Sequence, residues 1–180
     1  MTPAGPLFAA ATLLGVAGVV KLARPHTVVG VLRTARLPAN DLTGRALGLA
    51  ETAVAAFALV AGGALPAALV ALSYAGFAAF SALALRRDGT GASCGCFGAT
   101  DNPLTVLHVA ANVGAALLVA AAVLDPVPGV ADVVAAQPLA GLPFLALTAL
   151  CAWLAYATLT LLPALGRAAA GPAARLEPAR

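Results

Sequence analysis

The sequence predicts an all-α, polytopic membrane helix bundle with a four-helix core and a fifth, C-terminal helix. Three observations lead there. Of 180 residues, 62% are hydrophobic and 9% charged, with a mean hydropathy of +0.98, whereas soluble domains carry roughly 25% charged residues. Five apolar runs approach the roughly 20 residues that a bilayer-spanning helix needs. The few charges stand at the ends of those runs, so no basic face for nucleic acid is present and no nucleic-acid partner is expected.

The runs read in order. The first covers 6–22 and ends in Lys21. No Lys or Arg precedes it, which sets it apart from a cleaved signal peptide, so it is expected to be retained. The second and third cover 46–62 and 66–85, joined by a chargeless hairpin marked by Gly62, Gly63 and Pro66. The fourth covers 103–124 and stops at Asp125-Pro126 and Pro128-Gly129; the fifth covers 139–165. These runs are continuously apolar, whereas strands of a membrane barrel alternate over about ten residues. Residues 1–165 therefore form one transmembrane domain in contact with the lipid bilayer. Residues 166–180, rich in Ala, Pro and Arg, form a flexible tail. Small residues permit close helix approach. Gly44 and Gly48 stand four apart, although in so Ala-rich a chain the pair reads as ordinary low-relief helix surface.

Charge placement predicts topology. Lys21, Arg24, Arg33, Arg36 and Arg45 flank or fill the first connection. Arg86 and Arg87 open the third, and Arg167, Arg175 and Arg180 lie in the tail. The second and fourth connections carry no Lys or Arg. By the positive-inside rule the chain is a multi-pass cell-membrane protein with its N-terminus outside and its C-terminus cytoplasmic. A second reading treats the first connection as a folded amphipathic segment whose arginines meet lipid headgroups.

The third connection holds Cys94-Gly95-Cys96-Phe97-Gly98, with Asn102 and Pro103 suited to the cap and first position of the next helix. Glycines around the two cysteines free the backbone for a bridge that would be strained in so small a ring. Strained, exposed disulfides are the oxidising and catalytic ones. Residue chemistry leaves three readings open: thiol–disulfide exchange by Cys94 and Cys96, small residues in a flexible loop, or half of a metal site completed by His26 or His108. The cysteine spacing and two distant histidines do not match a structural zinc site, so no metal is assigned. Cys151, alone in the fifth run, is expected to be a small buried residue.

At these residues the chain resembles the methylamine utilisation protein MauE family, within the wider DoxX-like group. The resemblance rests on Cys94-Gly95-Cys96-Phe97-Gly98 ahead of a membrane helix. Lys21-Leu22 with Pro25, Pro38, Glu51 and Asn112 add to it. It spans about 15–124, the first four helices. The resemblance implies a membrane protein supporting disulfide formation in a maturing partner, with Cys94 and Cys96 as catalytic residues and a thioredoxin-like or disulfide-bearing client. A looser similarity to vitamin K epoxide reductase-like proteins implies a membrane quinone as electron acceptor. Those proteins carry a further cysteine pair in the first connection, and here 23–44 contains no cysteine. The fifth helix is a further departure. So is the charge bias, which puts the cysteine loop on the cytoplasmic face, whereas disulfides form outside it.

Ionisable groups inside a membrane are costly and usually paired. Glu51, about six residues into the second run, is expected to pair with Lys21, either to fix packing or to accept a proton during thiol oxidation. His108 and Asn112, one turn apart, are expected to make interhelical hydrogen bonds. Tyr74, Trp153 and Tyr156 are expected to pack or anchor. The function the sequence predicts is a membrane thiol–disulfide redox protein. The alternative is a non-enzymatic assembly or export factor that holds a partner subunit; a small transporter would need more intramembrane polar groups.

Overall fold

Seven helices follow one another in the computed structural model, which describes residues 3–34, 37–88 and 104–174. They are α1 (Ala4–Ala23), α2 (Pro25–Thr34), α3 (Asp41–Ala61), α4 (Ala64–Asp88), α5 (Val106–Leu124), α6 (Val130–Ala136) and α7 (Pro138–Ala174). Five of them are long and apolar enough to cross a membrane: Ala4–Ala23, Asp41–Ala61, Ala64–Arg87, Val106–Leu124 and Pro138–Leu162. The expected all-α, five-span bundle is what forms.

Local chemistry sets the boundaries. Pro25 disfavours helix at Arg24, so α1 stops there and α2 restarts with proline in its first turn. The first connection is thus largely helical rather than a plain loop. α2 turns Thr27, Val28, Val29 and Val31 inward and leaves Arg24, His26 and Arg33 exposed. α3 starts at Asp41, five residues before the expected 46, because Asn40 caps it. The Asn40 Oδ1 accepts from the Thr43 backbone N–H at 2.9 Å. Gly62 (φ 61°) and Gly63 (φ 89°) make the turn into α4, where a side chain would be strained. The Gly63 N–H donates to the Val127 carbonyl at 2.7 Å, which ties the α5–α6 connection onto this turn. α5 is described from Val106, with Thr105 extended before it; Asn102 and Pro103 lie outside the described residues. α6 is a short helix within what reads from sequence as a loop. α7 continues to Ala174, past residue 165. At about 1.5 Å per residue its 37 residues run roughly 55 Å, beyond a core of about 30 Å.

Lipid supplies no hydrophobic drive between helices, so close packing of small residues must hold the bundle. α1 lies centrally. Its Leu7, Phe8, Ala11 and Leu14 meet Ala55 and Ala58 of α3, Val70 of α4 and Val119 of α5 in one buried cluster. The tightest pairs are α1 with α3 and α4 with α5. Gly44 and Gly48 prove to be contact positions rather than plain surface. A Cβ on Gly44 would lie 3.0 Å from the Pro25 carbonyl oxygen, and one on Gly48 would lie 2.7 Å from that of Gly18. α7 packs on α1 and α6 at the edge of the bundle. The chain order places the end of α1, all of α2, the start of α3, the end of α4 and the start of α5 together, hereafter the Lys21 end. The Gly62 turn and α6 occupy the other.

Candidate functional site

Cys94 and Cys96 fall in residues 89–103, which lie outside the described residues. The described flanks bring the two ends of that connection together. Leu104, buried just before α5, packs against Ala84 and Leu85 near the end of α4. Arg86 and Arg87 at the end of α4 are exposed. The connection therefore leaves and re-enters the bundle at neighbouring points on the Lys21 end.

The described helices also enclose a charged centre. Lys21 Nζ donates to Glu51 Oε2 at 2.7 Å, with each side chain 4% exposed. The expected pair forms because α1 and α3 cross at Gly18 and Gly48, where hydrogens in place of side chains let the backbones touch. Lys21 also stands over the Phe77 ring of α4, 5.6 Å from its centroid, which adds a cation–π attraction in a water-poor setting. Phe77 packs edge-on against Tyr74, and the Tyr74 hydroxyl donates to the Ala10 carbonyl at 2.8 Å. Three helices are thus joined through one polar chain. Among the described residues, Glu51 Oε1 is buried with no hydrogen-bond partner.

Beside this pair a cavity of about 300 Å³ opens among α2, α3 and α4. Lys21 supplies its one charged wall. Phe77, Phe80 and Gly76 of α4 face Val28 and Val31 of α2, and Ser73 and Ser81 line it as well. Ser81 is 2% exposed. Phe77, Phe80 and the two serines carried no sequence signal, since they recur at helical spacing within an unbroken apolar run. Their meaning comes from Lys21 arriving opposite them.

The remaining expected residues are scattered. His108 is buried at the start of α5, but it bonds within its own helix end rather than across helices. Its Nδ1 accepts from the Thr105 backbone N–H at 3.3 Å and lies 3.1 Å from the Thr105 hydroxyl, while the His108 N–H donates to the Thr105 carbonyl at 3.0 Å. Three residues separate them, the spacing that lets a side chain cap its own helix. His26 is exposed on α2. Among the described residues no group of three or more His, Cys, Asp or Glu is placed to hold a metal. Asn112 is half-buried and lines a second groove, of about 520 Å³, between α1, α5 and α7. Cys151 lines that groove too, and it is exposed rather than buried. α7 packs chiefly on α1 and α6, at the edge of the bundle. Trp153 and Tyr156 are exposed on the same helix.

The family model for methylamine utilisation protein MauE matches residues 3–125, which takes in α1 to α5 and the cysteine connection, and leaves α6 and α7 outside. No curated protein and no solved structure matches the chain. With more than half of its length matched, this multi-pass membrane protein belongs to the MauE family.

Proposed function

We propose that the protein is a membrane thiol–disulfide redox protein whose Cys94 and Cys96 support disulfide formation in a partner protein. The observation that carries this reading is the glycine-flanked Cys94-Gly95-Cys96-Phe97-Gly98 run between α4 and α5 in a chain of the MauE family. The juxtaposed helix ends at Leu104 and Ala84, which fix both ends of the connection carrying the two cysteines, support it.

In the forward direction a client thiolate attacks one sulfur of the Cys94–Cys96 disulfide and forms a mixed disulfide, releasing the other cysteine as thiolate. The second client thiolate then attacks the client sulfur of that mixed disulfide. The client leaves with its disulfide, two electrons poorer, and Cys94 and Cys96 remain as a dithiol. The glycines supply the backbone freedom that a two-residue-apart bridge demands. The first connection holds no second cysteine pair, so the partner is a thioredoxin-like or disulfide-bearing protein. The family description names methylamine utilisation, and the resemblance implies the maturing methylamine dehydrogenase as the client. The charge bias favours an outside N-terminus and a cytoplasmic cysteine connection, whereas disulfide formation favours the opposite face, and the labelling experiment decides between them.

The test is to label the two thiols with a membrane-impermeant reagent, in intact and in permeabilised cells and with and without reductant, beside the Cys94→Ser/Cys96→Ser variant. Reductant-dependent labelling that the variant lacks, together with loss of client disulfides, supports the reading. Full client maturation by the double variant overturns it and leaves a non-enzymatic assembly role. Labelling in intact cells without permeabilisation overturns the cytoplasmic placement.

A further inference from the structure

The corner between α2 and α3 carries exposed arginines that the thiol chemistry does not use. The two helices touch there: a Cβ on Gly44 would stand 3.0 Å from the Pro25 carbonyl oxygen and 3.2 Å from a Val28 methyl. That contact sets Arg24, which precedes Pro25, alongside Arg45, which follows Gly44. α2 buries Val28, Val29 and Val31 and turns His26, Gly30 and Arg33 outward at helical spacing. Its apolar face is thus taken by the bundle, and a polar stripe is what it offers to its surroundings. The Arg33 Nε donates to the Ala39 carbonyl at 2.9 Å, which holds this guanidinium at the joint between the two helices. Only one of its five N–H donors is needed for that bond.

Arg45 supplies a second, independent observation. It lies four residues into the Asp41–Ala61 span, on one stripe with Leu42 and Leu49, which are 75% and 62% exposed. Leu42 stands about 4.5 Å nearer the helix start, so exposed apolar surface continues outward past the arginine. A stripe of that composition faces lipid, and a guanidinium set in it reaches for the headgroup layer. Among the described residues neither Arg24 nor Arg45 has an ion-pair partner, and Asp41, exposed at the start of α3, bridges to neither. Their counter-charge comes from outside the chain.

We propose that the α2–α3 corner binds the headgroup of an anionic phospholipid, its phosphate held by Arg33 and Arg45 with Arg24 beside them. The guanidinium fork matches phosphate oxygens in geometry as well as charge. A zwitterionic headgroup carries its own ammonium and gains less from three arginines. α2 then acts as an interfacial helix that is anchored to the bundle by its valines and to the membrane surface by its arginines. The assignment is independent of the cysteine chemistry.

The experiment counts the lipids that the full protein retains in native mass spectra, taken from detergent micelles holding equal amounts of phosphatidylglycerol and phosphatidylcholine. Wild type is expected to retain phosphatidylglycerol in preference by about tenfold, the scale of two basic residues at an anionic surface. Arg33→Gln/Arg45→Gln is expected to lose most of that preference, with an unchanged unfolding temperature in phosphatidylcholine nanodiscs. Should that variant unfold, Arg45→Gln alone decides, with an expected loss of about threefold. Arg86→Gln, which removes an exposed charge from the end of α4, is expected to keep the wild-type preference. No preference in wild type, or a wild-type preference without Arg45, overturns the proposal. An equal loss in Arg86→Gln also overturns it, because a diffuse positive surface would then suffice. Displacement of the lipid by an excess of inorganic phosphate would assign the arginines to a water-soluble anion, and overturns the lipid assignment too.

Discussion

Gly18 and Gly48 meet backbone to backbone where α1 crosses α3. A Cβ on Gly48 would stand 2.7 Å from the Gly18 carbonyl oxygen and 3.0 Å from the Lys21 Cβ. The obstacles to a Cβ on Gly48 belong to the α1 backbone or to a Cβ fixed on it, so no flexible side chain can swing aside. Gly48→Ala is therefore expected to part the helices and cost about 1–3 kcal/mol, the scale of overpacking, although alanine is the better helix former. Gly30→Ala, with nothing within 4 Å of the new Cβ, is the matched control and is expected to hold or gain stability. Unfolding in detergent micelles checks both; equal stability of the two variants would refute the close-approach account.

The same crossing places Lys21 against Glu51, and that pair makes a second prediction. Removing one partner leaves the other charge buried alone, so Lys21→Met is expected to cost about 3–5 kcal/mol. Replacing both residues, Lys21→Met with Glu51→Leu, is expected to recover most of that loss, because no isolated charge then remains. A double-mutant cycle read by denaturant unfolding measures the coupling. Additive losses would mean that the pair contributes no mutual stabilisation.

Much of the frame is legible in the sequence, for a physical reason. A span is long and uniformly apolar, so its existence survives any uncertainty about its ends, and all five were readable. The Lys21–Glu51 pair was readable too, since an unpaired charge at that depth is too costly to keep. What escaped depends on tertiary partners. α2 is only ten residues, and its inward Val28, Val29 and Val31 are interleaved with the histidine and arginine that mark the stretch as a connection. Gly44 and Gly48 look like any small residues until α1 and α2 cross them. His108 had a partner three residues away in its own chain, which a search for interhelical bonds overlooks. Cys151 has the composition of a core residue, but whether α7 is central or peripheral is not written in α7. Residue chemistry left three readings of the Cys94–Cys96 connection, and the described residues, which exclude 89–103, do not decide among them.

The α3–α4 turn supports a third prediction. Gly62 has φ 61° and ψ −161°, a conformation essentially reserved for glycine, and other residues held there cost about 1–3 kcal/mol. Its neighbour Gly63 donates to Val127, so the turn also anchors the α5–α6 connection. Gly62→Ala is expected to lower the unfolding temperature and to increase protease cutting near Val127. Gly114→Ala, in α5 with open space at its Cβ, is expected to do neither.

Cys151 carries the last prediction, which also guards the thiol-trapping experiment. It lies mid-span in α7, exposed, with Leu150, Trp153 and Leu154 exposed beside it. A thiol in that position faces lipid, where an apolar maleimide partitions and a charged, impermeant reagent does not. In the Cys94→Ser/Cys96→Ser variant, the apolar reagent is therefore expected to add one label to the folded protein in nanodiscs. The impermeant reagent is expected to add none, so every label it adds to wild type reports on Cys94 or Cys96. Mass spectrometry of the intact protein counts the labels. Rapid modification of Cys151 by the impermeant reagent would mean that this part of α7 stands in water rather than in the bilayer.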